Sequence, residues 1–126
     1  MTLANAERIT GYSIVRLDLD GFYFQAQDRG EHVASAGAKT EKEALRRLVE
    51  KVYKIHCEIV MRRQQFRCAV CGLIKPLSVH HRVFRSHGRD DRTSNLLALC
   101  NEDHEAQHRS KEKINGGVDP SSAVFE

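Results

Sequence analysis

Several absences narrow the field before any motif is considered. The 126-residue chain contains no run of about 18 consecutive apolar residues, and no basic segment leads into an apolar one at its start. Neither a transmembrane helix nor a signal peptide is therefore expected, and a cytoplasmic protein is the default. Acids are scarce over one stretch. Between Arg62 and Arg92 only Asp90 and Asp91 stand against eight basic residues: Arg62, Arg63, Arg67, Lys75, Arg82, Arg85, Arg89 and Arg92. A net charge of +3 thus conceals a local patch that suits a phosphate backbone. No element stands out as a reader of base edges, so any sequence preference is expected to be weak. Nothing in the chain suggests a small-molecule pocket.

What is present divides by period. Residues 1–10 carry no strong structural signal and read as a frayed end. From Tyr12 the apolar period is two: Val15, Leu17 and Leu19 alternate with Arg16 and Asp18, and Asp20-Gly21 predicts a two-residue hairpin turn. Phe22, Phe24 and Ala26 share the next face, and a turn over residues 28–30 leads to a weaker third strand at about 32–36. Thr40-x-x-Glu43 is a capping box that opens a helix. Along it Leu45, Leu48, Val49, Val52, Ile55, His56 and Ile59 form one apolar stripe at about 100° per residue. Tyr53, Cys57, Val60 and Met61 form a second face, expected to pack on the segment that follows, with Cys57 as a packing residue and not a ligand. The N-terminal half reads as βββα. Residues 12–38 hold two bases and four acids, which favours an accessory packing or partner-binding module over a DNA-facing sheet.

The second half is organised by histidine and cysteine. Residues 79–108 hold five of the seven histidines: His80, His81, His87, His104 and His108. Cys68 and Cys71 form a C-x-x-C upstream, followed by Gly72, and Cys100 lies between the histidines. Imidazole and thiolate in this density indicate metal, and in a reducing compartment C-x-x-C is a metal knuckle and not a disulfide. The lone His32 and His56 read as surface or core-edge residues, and His87 as a solvated loop residue. Residues 73–83 are expected to be extended, with a loop over 86–91 and a short helical turn from Thr93 or Ser94 through Leu99. Asn101 is placed to cap a final helix bearing His104 and His108, which four-residue spacing sets on one face. Adjacent strand residues point to opposite faces, so His80 and His81 have separate roles.

The order C-x-x-C, V-H-H, a glycine-containing loop, S-N-L-L-A-L-C and H-x-x-x-H resembles the HNH endonucleases over residues 66–109. The resemblance implies a zinc-stapled ββα-metal finger over residues 64–113; with the small N-terminal βββα module over 1–63 and the flexible tail over 114–126 read from the residue pattern, the chain is expected to be α+β. It implies hydrolysis of DNA phosphodiester bonds, with His81 as general base and Asn95 bracing the loop that orients it. His80, His104 and His108 are the implied ligands of one catalytic divalent ion, Mg, Mn, Ni or Zn, and Arg82, Arg85, Arg89 and Arg92 the implied DNA contacts. The size suits a phage or mobile-element protein. Many relatives carry a second C-x-x-C that completes a structural zinc site with four thiolates, whereas this chain has Asp103 at the fourth position. Three outcomes stay open: a Cys68, Cys71, Cys100, Asp103 zinc site, which is favoured; a site completed by His104, taking it from the catalytic ion; or loss of the zinc. The second would turn the chain into a non-catalytic zinc module that binds nucleic acid or a protein partner.

Overall fold

The computed structural model describes residues 1–85 and 88–103. The chain divides into two units, Met1–Ile55 and His56–Glu126, and the division falls inside a helix. No helix among the described residues is long and apolar enough to cross a membrane.

The first unit opens with a helix where a frayed end was expected. α1 spans Leu3–Thr10 because both ends are capped. Thr2 Oγ1 accepts the Asn5 amide at 3.1 Å, and Gly11, at φ 80°, sends its own amide back to the Glu7 carbonyl at 2.8 Å. Ala6 and Ile9 are buried, so the helix is held by packing as well as by its caps.

Three antiparallel strands follow in chain order, β1 (Ser13–Leu17), β2 (Phe22–Asp28) and β3 (Glu31–Ala38). The last pair, Leu17 with Tyr23, leaves residues 18–22 between them, longer than the two-residue turn read from Asp20-Gly21. That register also corrects the inner face of β1. Ile14 is the buried residue, Leu19 lies in the turn at 57% exposure, and Val15 faces outward. The β2–β3 turn is the tight one. Arg29 and Gly30, at φ 54° and 84°, both take the left-handed conformation that a two-residue turn of this twist requires. On β3, Gly37 faces Tyr23 across the ladder, and a Cβ there would come within 2.2 Å of that ring.

α2 (Glu41–Arg63) starts as the capping box predicts, with Thr40 Oγ1 accepting the Glu43 amide at 3.2 Å. Leu45, Leu48, Val49 and Val52 are fully buried and meet Ile14, Phe24, Ala26, Ala34 and Ala36 of the sheet, together with α1. Each such Leu, Val or Phe contributes about 1.5–3 kcal/mol on burial. The stripe ends earlier than its period suggests: Ile55 is half-buried and Ile59 is exposed, while Val60 on the second face is fully buried.

The second unit takes over the last turns of α2 and stops the helix without glycine. Phe66 donates its amide to Met61 O at 2.9 Å and Gln65 to Arg62 O at 3.0 Å, with Gln65 and Phe66 both left-handed at φ 56° and 58°. A short hairpin follows, closed by the Arg67–Ile74 bridge. Then β4 (Leu77–His81) pairs antiparallel with β5 (Leu96–Cys100). Two expectations are corrected here. The extended stretch over 73–83 narrows to Leu77–His81, and the helical turn expected through Leu99 is confined to a 3₁₀ turn over Thr93–Asn95. The residues after it form β5 because all five are buried, as in a strand covered on both faces. Residues 101–103 are helical, so Asn101 lies inside that turn and does not precede it.

Candidate functional site

The β4–β5 hairpin carries two clusters at its ends. At one, Leu77 pairs with Cys100 and the knuckle packs beside them: Cys68, Leu97, Leu99 and Cys100 form a small buried core with Ala69 and Leu77 against it. The ligand atoms of Cys68, Cys71, Cys100 and Asp103 all lie within 4.8 Å of one another. Asp103 Oδ2 accepts from Cys68 Sγ at 3.0 Å and from Cys100 Sγ at 3.1 Å, and Cys71 Sγ lies 4.0 Å from Cys100 Sγ. A tetrahedral zinc about 2.3 Å from each thiolate would set its sulfurs roughly 3.8 Å apart, so this donor set fits an ion with little movement.

The Asp103 amide favours the Cys100 thiolate, but the Asp103 carboxylate, burial and the neighbouring thiols outweigh it and push Cys100 up to about 11. Hydrogen bonds from Cys68 and Cys100 hold the Asp103 carboxyl below the ordinary carboxylate range. Metal binding would displace the thiol protons. Cys57 takes no part in this group.

The other end of the hairpin presents the two adjacent histidines. His80 is buried, with its ring edge-on to Phe84 at a centroid distance of 5.5 Å. His81 is also buried, and its Nε2 lies 2.8 Å from Asp91 Oδ1. A carboxylate only accepts, so Nε2 carries the hydrogen and the neutral ring has its lone pair at Nδ1. Asp91 is fully buried and paired a second time, with Arg89 donating from Nη2 at 2.7 Å and from Nε at 2.9 Å. Burial alone would raise the Asp91 pKa, but the hydrogen bonds from His81 and Arg89 and the Arg89 charge prevail and hold it below the usual carboxylate range.

The loop between β4 and β5 is tied at three points. Asn95 Oδ1 accepts the Val83 amide at 3.0 Å, its Nδ2 donates to Asp90 O at 2.7 Å, and its carbonyl accepts the Arg82 amide at 2.8 Å. His56, buried on α2, meets the carbonyl of Asp91 through Nδ1 at 2.6 Å. Gln64 spans both backbone groups of Ala98, donating to its carbonyl and accepting from its amide, each at 2.9 Å.

Of the arginines expected at DNA, Arg85 is exposed and Arg82 half-buried. Arg89 is committed to Asp91, and Arg92 is paired with Asp90 at 2.8 Å. His87, His104 and His108 lie outside the described residues. The sequence reading missed Asp91, His56 and Gln64. Asp91 had a weak signal as one of only two acids in a basic stretch. The other two act through backbone carbonyls and amides, for which side-chain motifs carry no mark.

With this geometry in place, comparison with known proteins adds one finding. Residues 67–110 match the family described as HNH endonuclease, and the knuckle, the hairpin, Asn95 and the acid-for-thiol position all fall inside that span. That match points the segment towards a nuclease-type or nucleic-acid-binding function, and its cysteine cluster could hold a metal ion. No curated protein and no solved structure matches the chain.

Proposed function

We propose that residues 67–110 form a metal-dependent endonuclease unit that hydrolyses DNA phosphodiester bonds, with the first unit as an accessory module. The His81–Asp91 pair carries this reading. A buried histidine held in one tautomer by a buried carboxylate, at the end of the strand where the HNH pattern sets its general base, is suited to proton transfer. In the proposed reaction a water oxygen attacks phosphorus while His81 Nδ1 takes the water's proton. The bond from phosphorus to the leaving 3′ oxygen then breaks. Asp91 accepts the Nε2 hydrogen throughout and steadies the imidazolium that forms. Asn95 is a positioning residue, because it pins the loop on which Asp91 sits.

His80, His104 and His108 would hold the catalytic divalent ion, which supplies positive charge where the phosphorane and the departing oxygen become more negative. Cys68, Cys71, Cys100 and Asp103 would hold a structural zinc. Arg85 and Arg82 would meet the phosphates, whereas Arg89 and Arg92 act first on the loop carboxylates.

Nicking of supercoiled plasmid by wild type and His81→Ala, with Mg, Mn, Ni, Zn or EDTA, tests this. Wild type is expected to cut with at least one metal, and His81→Ala to lose at least about 10²-fold. If no metal supports cutting while the protein still holds zinc and retards DNA in a gel, the chain is a zinc-dependent binding module instead.

A further inference from the structure

The knuckle hairpin over residues 66–75 does something unusual for so small a core: it turns its apolar side chains outward. Phe66, Val70, Leu73 and Ile74 are 53%, 40%, 53% and 69% exposed. Cys68, buried, and Cys71, exposed, of the same hairpin belong to the thiol cluster, so that surface is already used. Backbone geometry adds to this. Gln65 and Phe66 both enter the left-handed region as the helix closes, and for Phe66, at φ 58°, this is a conformation that bulky residues rarely adopt. The strain is spent on a residue that packs in neither core.

The charges near these side chains are mainly positive: Arg62 is paired with Glu58 at 2.6 Å and Lys75 acts on the Asp103 carboxylate, which leaves the bases in excess. No acid occurs between Glu58 and Asp90, while Arg62, Arg63, Arg67 and Lys75 flank the tip in sequence. Arg62, Arg63 and Arg67 are exposed. An apolar tip for a protein partner would be expected to carry a polar rim of balanced sign; a rim in which Arg62, Arg63, Arg67 and Lys75 outnumber Glu58 and Asp103 suits a polyanion. Duplex DNA combines a phosphate surface with apolar base faces. Proteins that enter its minor groove do so with apolar wedges set between basic residues, partly unstacking a base step.

We infer that the 66–75 hairpin is a DNA wedge: Leu73 and Ile74, with Phe66, press into the minor groove of a duplex, while Arg67 and Lys75 take the adjoining phosphates. This rests on the proposed action on DNA and gives it a second, non-catalytic contact that distorts the substrate.

The test uses zinc-loaded, full-length His81→Ala, to avoid cleavage, and a short duplex with 2-aminopurine at its centre. Affinity is read by anisotropy at several salt concentrations, and unstacking by 2-aminopurine fluorescence. The parent is expected to raise that fluorescence. Leu73→Ser/Ile74→Ser should bind about tenfold more weakly, lose the fluorescence rise and keep the parent's salt slope. Arg67→Ala/Lys75→Ala should instead lower the slope by roughly one per charge removed. Zinc content per chain checks folding; should the double serine variant lose zinc, Ile74→Ser alone, at the most exposed position, gives the reading. The wedge is overturned if the serine variant binds and unstacks like its parent, if no duplex is bound, or if the substitution only dissociates a dimer. Plasmid nicking is scored separately. Cutting without dependence on the tip leaves the nuclease and removes the wedge, and tip-dependent binding without cutting does the reverse.

Discussion

His56 and Asp91, 35 positions apart, meet through a buried hydrogen bond of 2.6 Å from Nδ1 to the carbonyl oxygen. Since a carbonyl only accepts, His56 donates, and the backbone of the residue that fixes His81 is thereby anchored to α2. His56→Ala is expected to lower stability by about 2 kcal/mol through the orphaned carbonyl. His56→Asn, whose Nδ2 can take the place of Nδ1, should recover most of it. Urea unfolding of both variants checks this, and equal losses would show that ring packing is what matters.

Asp91 balances Arg89 and His81 in a site without water access of its own. Asp91→Asn leaves the Arg89 charge without its counterion and puts an amide among donors. A loss of about 2–4 kcal/mol is expected, Arg89 being partly exposed. In NMR spectra the His81 ring should also lose its fixed Nε2–H tautomer; retention of both stability and tautomer would dismiss the pair as incidental.

The same carboxylate predicts a response to acid. Its folded pKa lies below the unfolded value, so its contribution is complete above about pH 4 and is lost as pH falls through the folded pKa. Below about pH 4, wild type should therefore lose stability more steeply than Asp91→Asn. Parallel acid limbs in the two proteins would count against it.

The thiol cluster makes a prediction about metal. One equivalent of zinc should co-purify with the chain, and a strong chelator should lower the unfolding temperature, because binding to the folded form alone stabilises it. Asp103→Asn should weaken zinc in a competition titration, while His104→Asn leaves this site unchanged. The opposite ranking would assign the fourth ligand to His104.

Much of this was legible in the residues. Strong local signals survived: the capping box at Thr40, the faces of Phe24 and Ala26, the knuckle thiols, and Asp103 at the position of a missing cysteine. The misses share a cause. α1 was overlooked because its caps, Thr2 and Gly11, flank only two turns with a weak apolar stripe. β5 was read as helical because five consecutive buried residues have no period to distinguish strand from helix. The face of β1 is misread from the sequence because the Leu17–Tyr23 pairing is one register step away from the one that a two-residue Asp20-Gly21 turn would set, and a one-residue slip sends every side chain of the strand to the opposite face. The loop anchors at His56 and Gln64 were invisible because their partners are backbone atoms, which every residue has.

Gln64 has one more consequence. By pairing with both backbone groups of Ala98, its side chain behaves as a one-residue mock strand along β5. An open strand margin invites another chain to add to it, and a strand as apolar as β5 would be especially prone to that. With the Ala69 amide on the same Ala98 carbonyl at 3.0 Å and Arg63 on the Leu96 carbonyl at 3.3 Å, this side-chain amide occupies the margin without lengthening the sheet and leaves little of it for another strand to join.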